Sequence, residues 1–136
     1  MKFSRQSRLL KPAEFKFVFQ QPVRSGDDSF RVFARLNEKQ HHRLGMAVSK
    51  KACAKAVGRN RIKRVVRENF RNCMVPGSQN HSGESNLDIV VMPTNLAASQ
   101  TNKTLDESLS AHWQELIMKA GNQRKVSRQD QIRTQA

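Results

Sequence analysis

Between Lys39 and Cys73 the only acidic residue is Glu68, and within that stretch lies a segment able to bury one side only. It reads Arg59-Asn60-Arg61-Ile62-Lys63-Arg64-Val65-Val66-Arg67-Glu68-Asn69-Phe70-Arg71. At about 100° per residue, Ile62, Val65, Val66 and Phe70 fall on one arc of a helix, and Cys73 joins them. Asn60, Lys63, Arg64, Arg67 and Arg71 fall on a neighbouring arc about 100° wide, with Arg61 beyond it next to Glu68. A helix of this kind needs a partner for its apolar arc and leaves its cationic arc outside. The rest of the chain must supply that partner.

The supply is a mixture of strand and helix patterns. Ser29 to Leu36 alternates, with Phe30, Val32, Ala34 and Leu36 on one face and Ser29, Arg31, Phe33 and Arg35 on the other. Residues 43–51 give a second strand, with Leu44, Met46 and Val48 on one face. Its other face carries the small residues Gly45, Ala47 and Ser49, against which backbone or ligand can come close. Leu87 to Pro93 is apolar enough to lie inside a sheet. Pro12 suits the first turn of a short helix carrying Phe15, Val18 and Phe19 on one face. The basic helix runs from the mid-50s to the low 70s. Thr104 to Glu107 has the form of a capping box, Leu105, Leu109, Trp113, Leu116 and Ile117 follow as one stripe, and Gly121 suits the stop. The expectation is one α/β (α+β) domain over 1–120, a central mixed sheet packed with helices. Residues 121–136 read as a basic, disordered tail, and the polar loop 76–86 receives no role.

Charge narrows the function. Lys and Arg number 25 against 11 Asp and Glu, a formal +14 on 136 residues. Such self-repulsion is relieved by a polyanion. No apolar run approaches the roughly 18 residues of a spanning helix, and no apolar signal core follows the basic start, so a membrane partner is not expected and a cytoplasmic location is. Cys53 and Cys73 have no metal-type spacing and read as ordinary thiols.

The cationic arc has its own chemistry. Lys63, Arg67 and Arg71 stack along one side, since residues three and four apart are neighbours on a helix. A row of phosphates relieves that repulsion and releases condensed counterions. Guanidinium groups bind phosphate through paired hydrogen bonds. Asn60 can donate and accept, which suits a base edge or a sugar hydroxyl. A solvated charged face is the bland alternative, but such faces usually mix signs. Reading of a DNA major groove is another, yet the preceding segment reads as a strand and not as the first helix of a helix-turn-helix. On the sheet, Phe33 between Arg31 and Arg35 can stack a base while the arginines hold phosphates. It can equally be a partly exposed apolar residue among solubilising charges. Phe15 and Phe19 at helical spacing read as core, as cleft wall, or as both.

Catalytic patterns are scarce. The acids Glu14, Asp27, Asp28, Glu38, Glu84 and Asp88 form no recognisable metal-nuclease cluster. Asp27-Asp28 reads as turn chemistry, His41-His42 is a poor ligand pair, and neither a P-loop nor a nucleophile elbow is present. The site therefore contains no expected catalytic or metal-binding residue.

The run Ser49-Lys50-Lys51, followed by Ala56-Val57-Gly58-Arg59-Asn60-Arg61-Ile62-Lys63-Arg64, resembles the signature of the bacterial ribonuclease P protein subunit. Phe15 and Phe19 after an acidic residue, Phe30 to Phe33, and Leu87 to Met92 agree with it, so the resemblance spans roughly residues 5–120. It implies a small α/β domain with a left-handed βαβ crossover through the basic helix. It also implies a ribonucleoprotein endonuclease that hydrolytically removes the 5′ leader of precursor tRNA. The catalyst there is an RNA subunit with Mg²⁺ held mainly by RNA and substrate, and the protein, bound one to one, is accessory. By the same resemblance Lys50, Lys51, Arg59, Asn60, Arg61, Lys63, Arg64, Arg67 and Arg71 contact RNA. Phe15, Phe19, Arg31 and Phe33 line a cleft for the single-stranded leader. Some relatives carry tyrosine at Phe33, so any hydroxyl hydrogen bond there is absent from this chain. Two other readings compete: a structural RNA-binding protein such as a ribosomal protein, and a protein-only nuclease using Asp27 or Asp28.

Overall fold

A computed structural model describes residues 8–9, 11–37, 39, 41–74 and 86–135, with only the backbone for 122–135. The elements are α1 (Pro12–Gln20), β1 (Val23–Gly26), β2 (Phe30–Leu36), β3 (Arg43–Met46), α2 (Ala56–Met74), β4 (Leu87–Pro93), a 3-10 turn (Ala97–Ser99) and α3 (Asn102–Gln135). The strands form one mixed sheet in the order β1-β2-β4-β3. β1–β2 and β2–β4 are antiparallel, while β3 and β4 are parallel and joined through α2. The expected α+β class is the observed one.

The alternation read in Phe30 to Leu36 sorts the sheet into two faces. Phe30, Val32 and Ala34 share a core with Leu44, Leu87, Ile89 and Val91, against Ile62, Val65, Val66 and Phe70 of α2 and Leu105, Leu109, Trp113 and Leu116 of α3. Each fully buried Val, Leu, Ile or Phe among them contributes about 1.5–3 kcal/mol. Phe70 and Trp113 meet edge to face at 5.9 Å between ring centres. The Trp113 Nε1–H donates to Asn69 Oδ1 at 2.7 Å, so this buried ring leaves no unpaired donor. The opposite face holds α1 through a smaller cluster of Leu9, Val18 and Val90, with Phe15, Phe33 and Met92 half-buried around it.

Several boundaries differ from the sequence reading. β1 is an added strand: Val23 and Ser25 are buried and Arg24 is exposed. β3 ends at Met46, well short of residue 51, although Ala47 N–H still donates to Val91 O at 3.0 Å. The cap of α3 is Thr101, whose Oγ1 accepts from Thr104 N–H at 3.2 Å. Thr104 therefore lies inside the first turn. α3 also continues past Gly121 to Gln135. A helical glycine costs about 1 kcal/mol relative to alanine, which does not by itself end a helix. Loop 76–86 lies outside the described residues, except for Asn86 at its end.

Two glycines are set by close approach. A Cβ at Gly45 would lie 2.7 Å from a ring carbon of Phe15, so the small face expected of this strand receives an aromatic ring. A Cβ at Gly58 would lie 2.7 Å from Cys53 Sγ. Gly58 is inside α2, two residues past its start, and lets the loop before the helix pack against its first turn.

Candidate nucleic-acid interface

α2 presents its apolar arc to the core as the wheel requires. Ile62, Val65, Val66 and Phe70 are buried, together with Asn69 and Met74. Asn69 sits on the apolar arc yet is polar. Its Nδ2 donates to Asp106 and Ser110, 3.3–3.4 Å away, which ties α2 to α3. The flank beside that arc forms a shallow groove lined by Asn60, Lys63, Arg64, Arg67, Glu68 and Arg71. Arg64 and Arg67 are exposed, and Lys63 and Arg71 are half-buried. Among the described residues, no side-chain hydrogen bond or ion pair holds Lys63, Arg64 or Arg67. Glu68 on the same groove neutralises none of them by direct contact. These cations are therefore available to an outside anion.

The other expected contacts divide. Lys50 and Lys51 are exposed in the turn before α2. Arg59 turns back toward that turn, its Nη1–H donating to Cys53 O at 2.9 Å and Ala54 O at 2.8 Å. Arg61 reaches across to the start of α3. Its Nη1–H donates to Asn102 Oδ1 at 2.6 Å and its Nη2–H to Ala98 O and Gln100 O at 3.1 Å each.

The aromatic residues gather on the α1 face of the sheet. The rings of Phe19 and Phe33 meet edge to face at 5.2 Å. Phe19 is 44% exposed, Phe33 is half-buried, and Arg31 on the same strand is exposed. Phe15 lies deeper, against Gly45 and Leu9. Arg24 was missed because its strand was missed: its guanidinium lies 5.7 Å from the Phe33 ring centre. Arg35, expected to flank Phe33, instead stacks on Phe17 at 3.9 Å and donates to Phe17 O.

An ion network fixes α1 over this face. Arg43 binds Asp88 through two parallel hydrogen bonds, Nε to Oδ1 at 2.7 Å and Nη2 to Oδ2 at 2.5 Å. Its Nη1–H reaches Glu14 of α1 at 2.5 Å. Asn37 Nδ2–H adds a bond to Asp88 Oδ1 at 2.9 Å. The hydrogen bond to Asp88 raises the Arg43 guanidinium pKa above its ordinary value despite burial, helped by the charges of Asp88 and Glu14. Glu14 also accepts from Lys11 N–H at 2.8 Å, capping α1. The acidic residue ahead of Phe15 thus both starts the helix and anchors it.

A third polar cluster joins β1 to α3. Ser25 Oγ lies 2.5 Å from His112 Nδ1 and donates to Glu115 Oε2 at 2.7 Å. His112 Nε2 approaches Asp27 Oδ2 at 3.2 Å. The other oxygen of Asp27 accepts from the backbone N–H of Ser29 and Phe30, the turn role expected of this residue. Burial raises the Asp27 pKa, but hydrogen bonds from Ser108, Phe30, Ser29 and His112 outweigh it and hold the carboxyl below its ordinary range. With Ser25 and His112 buried, the cluster fastens elements together and offers no open nucleophile. Among the described residues no three His, Cys, Asp or Glu side chains gather as a metal site, and no helix is long and apolar enough to cross a membrane.

Comparison with known proteins places this architecture. A sequence model of the family described as Ribonuclease P matches residues 3–117. The "Ribonuclease P protein component" of Aliivibrio fischeri is 43% identical over 114 residues, covering 84% of this chain and 92% of that protein. The protein of the same name from Methylococcus capsulatus is 43% identical over 111 residues, covering 82% of this chain and 81% of its own. Among solved structures, the Staphylococcus aureus RNase P protein superposes with a TM-score of 0.65 at 30% identity, covering 79% of this chain and 93% of that one. The Thermotoga maritima RNase P protein gives 0.62 at 30% identity, covering 75% and 90%. With the signature on α2 and the same strand-and-helix frame beneath it, the chain belongs to the ribonuclease P protein family.

Proposed function

We propose that this chain serves as the protein subunit of ribonuclease P, binding a catalytic RNA and the 5′ leader of precursor tRNA during endonucleolytic removal of that leader. The observation that carries the reading is the unpartnered cationic row Lys63, Arg64 and Arg67 beside a fully packed apolar arc. Guanidinium groups fixed on a rigid helix meet phosphate oxygens with little loss of freedom. Asn60 adds an exposed amide at the head of the row. Lys50 and Lys51 extend the positive surface beyond the helix, and Arg71 extends it along the groove.

The second contact is the α1 face. Phe19 and Phe33 offer an exposed aromatic edge on which a single-stranded base can stack, with Phe15 as the floor. Arg31, and Arg24 beside Phe33, hold the flanking phosphates. In this reading the chain contributes binding and orientation, and the cut is made by RNA with Mg²⁺. In the same reading the ion is held by RNA and substrate, and no step passes through a protein-bound metal.

Reconstitution tests the proposal. Adding the protein to a bacterial ribonuclease P RNA at low magnesium is expected to raise cleavage of precursor tRNA; no increase would rule it out. Recovery of ribosomal RNA with the purified protein, in place of one ribozyme RNA, would favour a structural role instead. Phe33→Ala is expected to weaken binding of leader-bearing tRNA more than mature tRNA, and equal losses would remove Phe33 from the leader cleft.

A further inference from the structure

We infer that Arg59 and Arg61, the two arginines flanking Asn60, are positioning residues turned into the protein and are not phosphate ligands. The inference rests on the RNA-binding reading above and divides the labour within it. Arg59 donates from Nη1 to two backbone carbonyls, Cys53 O and Ala54 O, in the segment just before α2. It ties the turn carrying Lys50 and Lys51 to the head of the helix. Arg61 donates to Ala98 O, Gln100 O and Asn102 Oδ1, in the 3-10 turn, the link after it and the first residue of α3. It ties α3 to the same helix from the other side.

The geometry uses what a guanidinium alone offers, a rigid fork of several donors. Ala98 O and Gln100 O lie outside the sheet and the long helices, and Arg61 supplies them with a donor. Three of the five N–H donors of Arg61 are taken up in this way, which holds its guanidinium against the start of α3. Lys63, Arg64 and Arg67 hold no such partner among the described residues. The helical phase agrees: Arg59 falls near Val66 and Phe70, and Arg61 falls beside Glu68, both outside the cationic arc. Asn60 alone of the three points along the groove.

Salt dependence separates a ligand from a positioning residue. Each phosphate contact contributes about −0.7 to −0.9 to the slope of log affinity against log salt. The full-length protein is titrated onto a bacterial ribonuclease P RNA over a range of salt. Arg67→Ala should make the slope shallower by about one contact's worth. Arg61→Ala should lower affinity by the same factor at every salt and leave the slope unchanged. Arg61→Lys should resemble Arg61→Ala, because a lysine keeps the charge but cannot span the three acceptors. Asn102→Ala removes one acceptor without touching any charge; it should give a smaller loss of the same kind, and none in addition once Arg61 is replaced. For Arg59, the slope change caused by Lys51→Ala should shrink in an Arg59→Met background, since the turn is no longer held. Loss of stability alone would leave that pair additive.

A shallower slope for Arg61→Ala, restored by Arg61→Lys, would overturn the assignment for Arg61. Full additivity of Arg59→Met with Lys51→Ala would overturn it for Arg59. If Arg67→Ala leaves the slope unchanged, the RNA-binding reading itself fails, and this inference goes with it.

Discussion

The two faces of the sheet are built to different standards. One is sealed by α2 and α3, with Phe30, Phe70 and Trp113 fully buried and Trp113 hydrogen-bonded to Asn69. The other carries α1 alone among the described residues, rests on Leu9, Val18 and Val90, and leaves Phe19 and Phe33 in reach of solvent. An ion network fastens the thin face, where apolar burial fastens the thick one. Rigidity and adhesiveness are thus divided by side. The sealed face fixes the helix bearing the cations, and the open face keeps aromatic surface available.

The sealed face should give the largest loss when cut. Trp113→Ala should cost about 3–5 kcal/mol in denaturant unfolding, through a cavity and an orphaned Asn69. Phe33→Ala on the open face should cost far less. Next comes the fastening of the thin face. Arg43→Met leaves Asp88 fully buried without its cation, and is expected to cost about 3–5 kcal/mol. The same variant should also loosen α1, read as faster amide exchange in Pro12–Gln20 than in α2. A uniform change across both helices would show that the network supports the whole fold and not α1 in particular. Gly45→Ala should cost about 1–3 kcal/mol by driving Phe15 off the sheet, with recovery in a Phe15→Leu background.

The smallest effect concerns pH. The Asp27 carboxyl is held below its ordinary range, so it stabilises the fold above the unfolded carboxylate pKa. That contribution is lost as pH falls through the depressed folded value. Asp27→Asn should flatten the acid limb of the stability profile, with its loss of stability present at neutral pH and fading as pH falls through the folded carboxyl's range. An unaltered acid limb would show that Ser108 and His112 do not sense the charge of Asp27.

How far the sequence disclosed this arrangement depends on periodicity. α2, β2 and β4 carry long regular patterns, and their buried positions were legible in advance. β1 was not, because Val23 to Gly26 is too short to establish alternation and ends in turn residues. The stop expected at Gly121 failed because a single glycine is a weak signal inside a long polar helix. Within the site, the cationic row was legible from the wheel. The inward turn of Arg59 and Arg61 was not, since it depends on carbonyls that the chain brings near only after folding. Buried polar residues such as Asp88 and Asn69 were equally silent, as their partners lie far away in the chain.

The parallel pairing of β3 with β4 has α2 as its connection, so the cationic helix is also the covalent link between two neighbouring strands. A polyanion that grips α2 thereby selects the folded sheet over the open chain. Its free energy of association becomes free energy of folding, growing as RT ln(1 + [L]/Kd) with the concentration of that polyanion. A chain carrying +14 would then be most durable when its partner is abundant, and most exposed to proteolysis when made in excess of it.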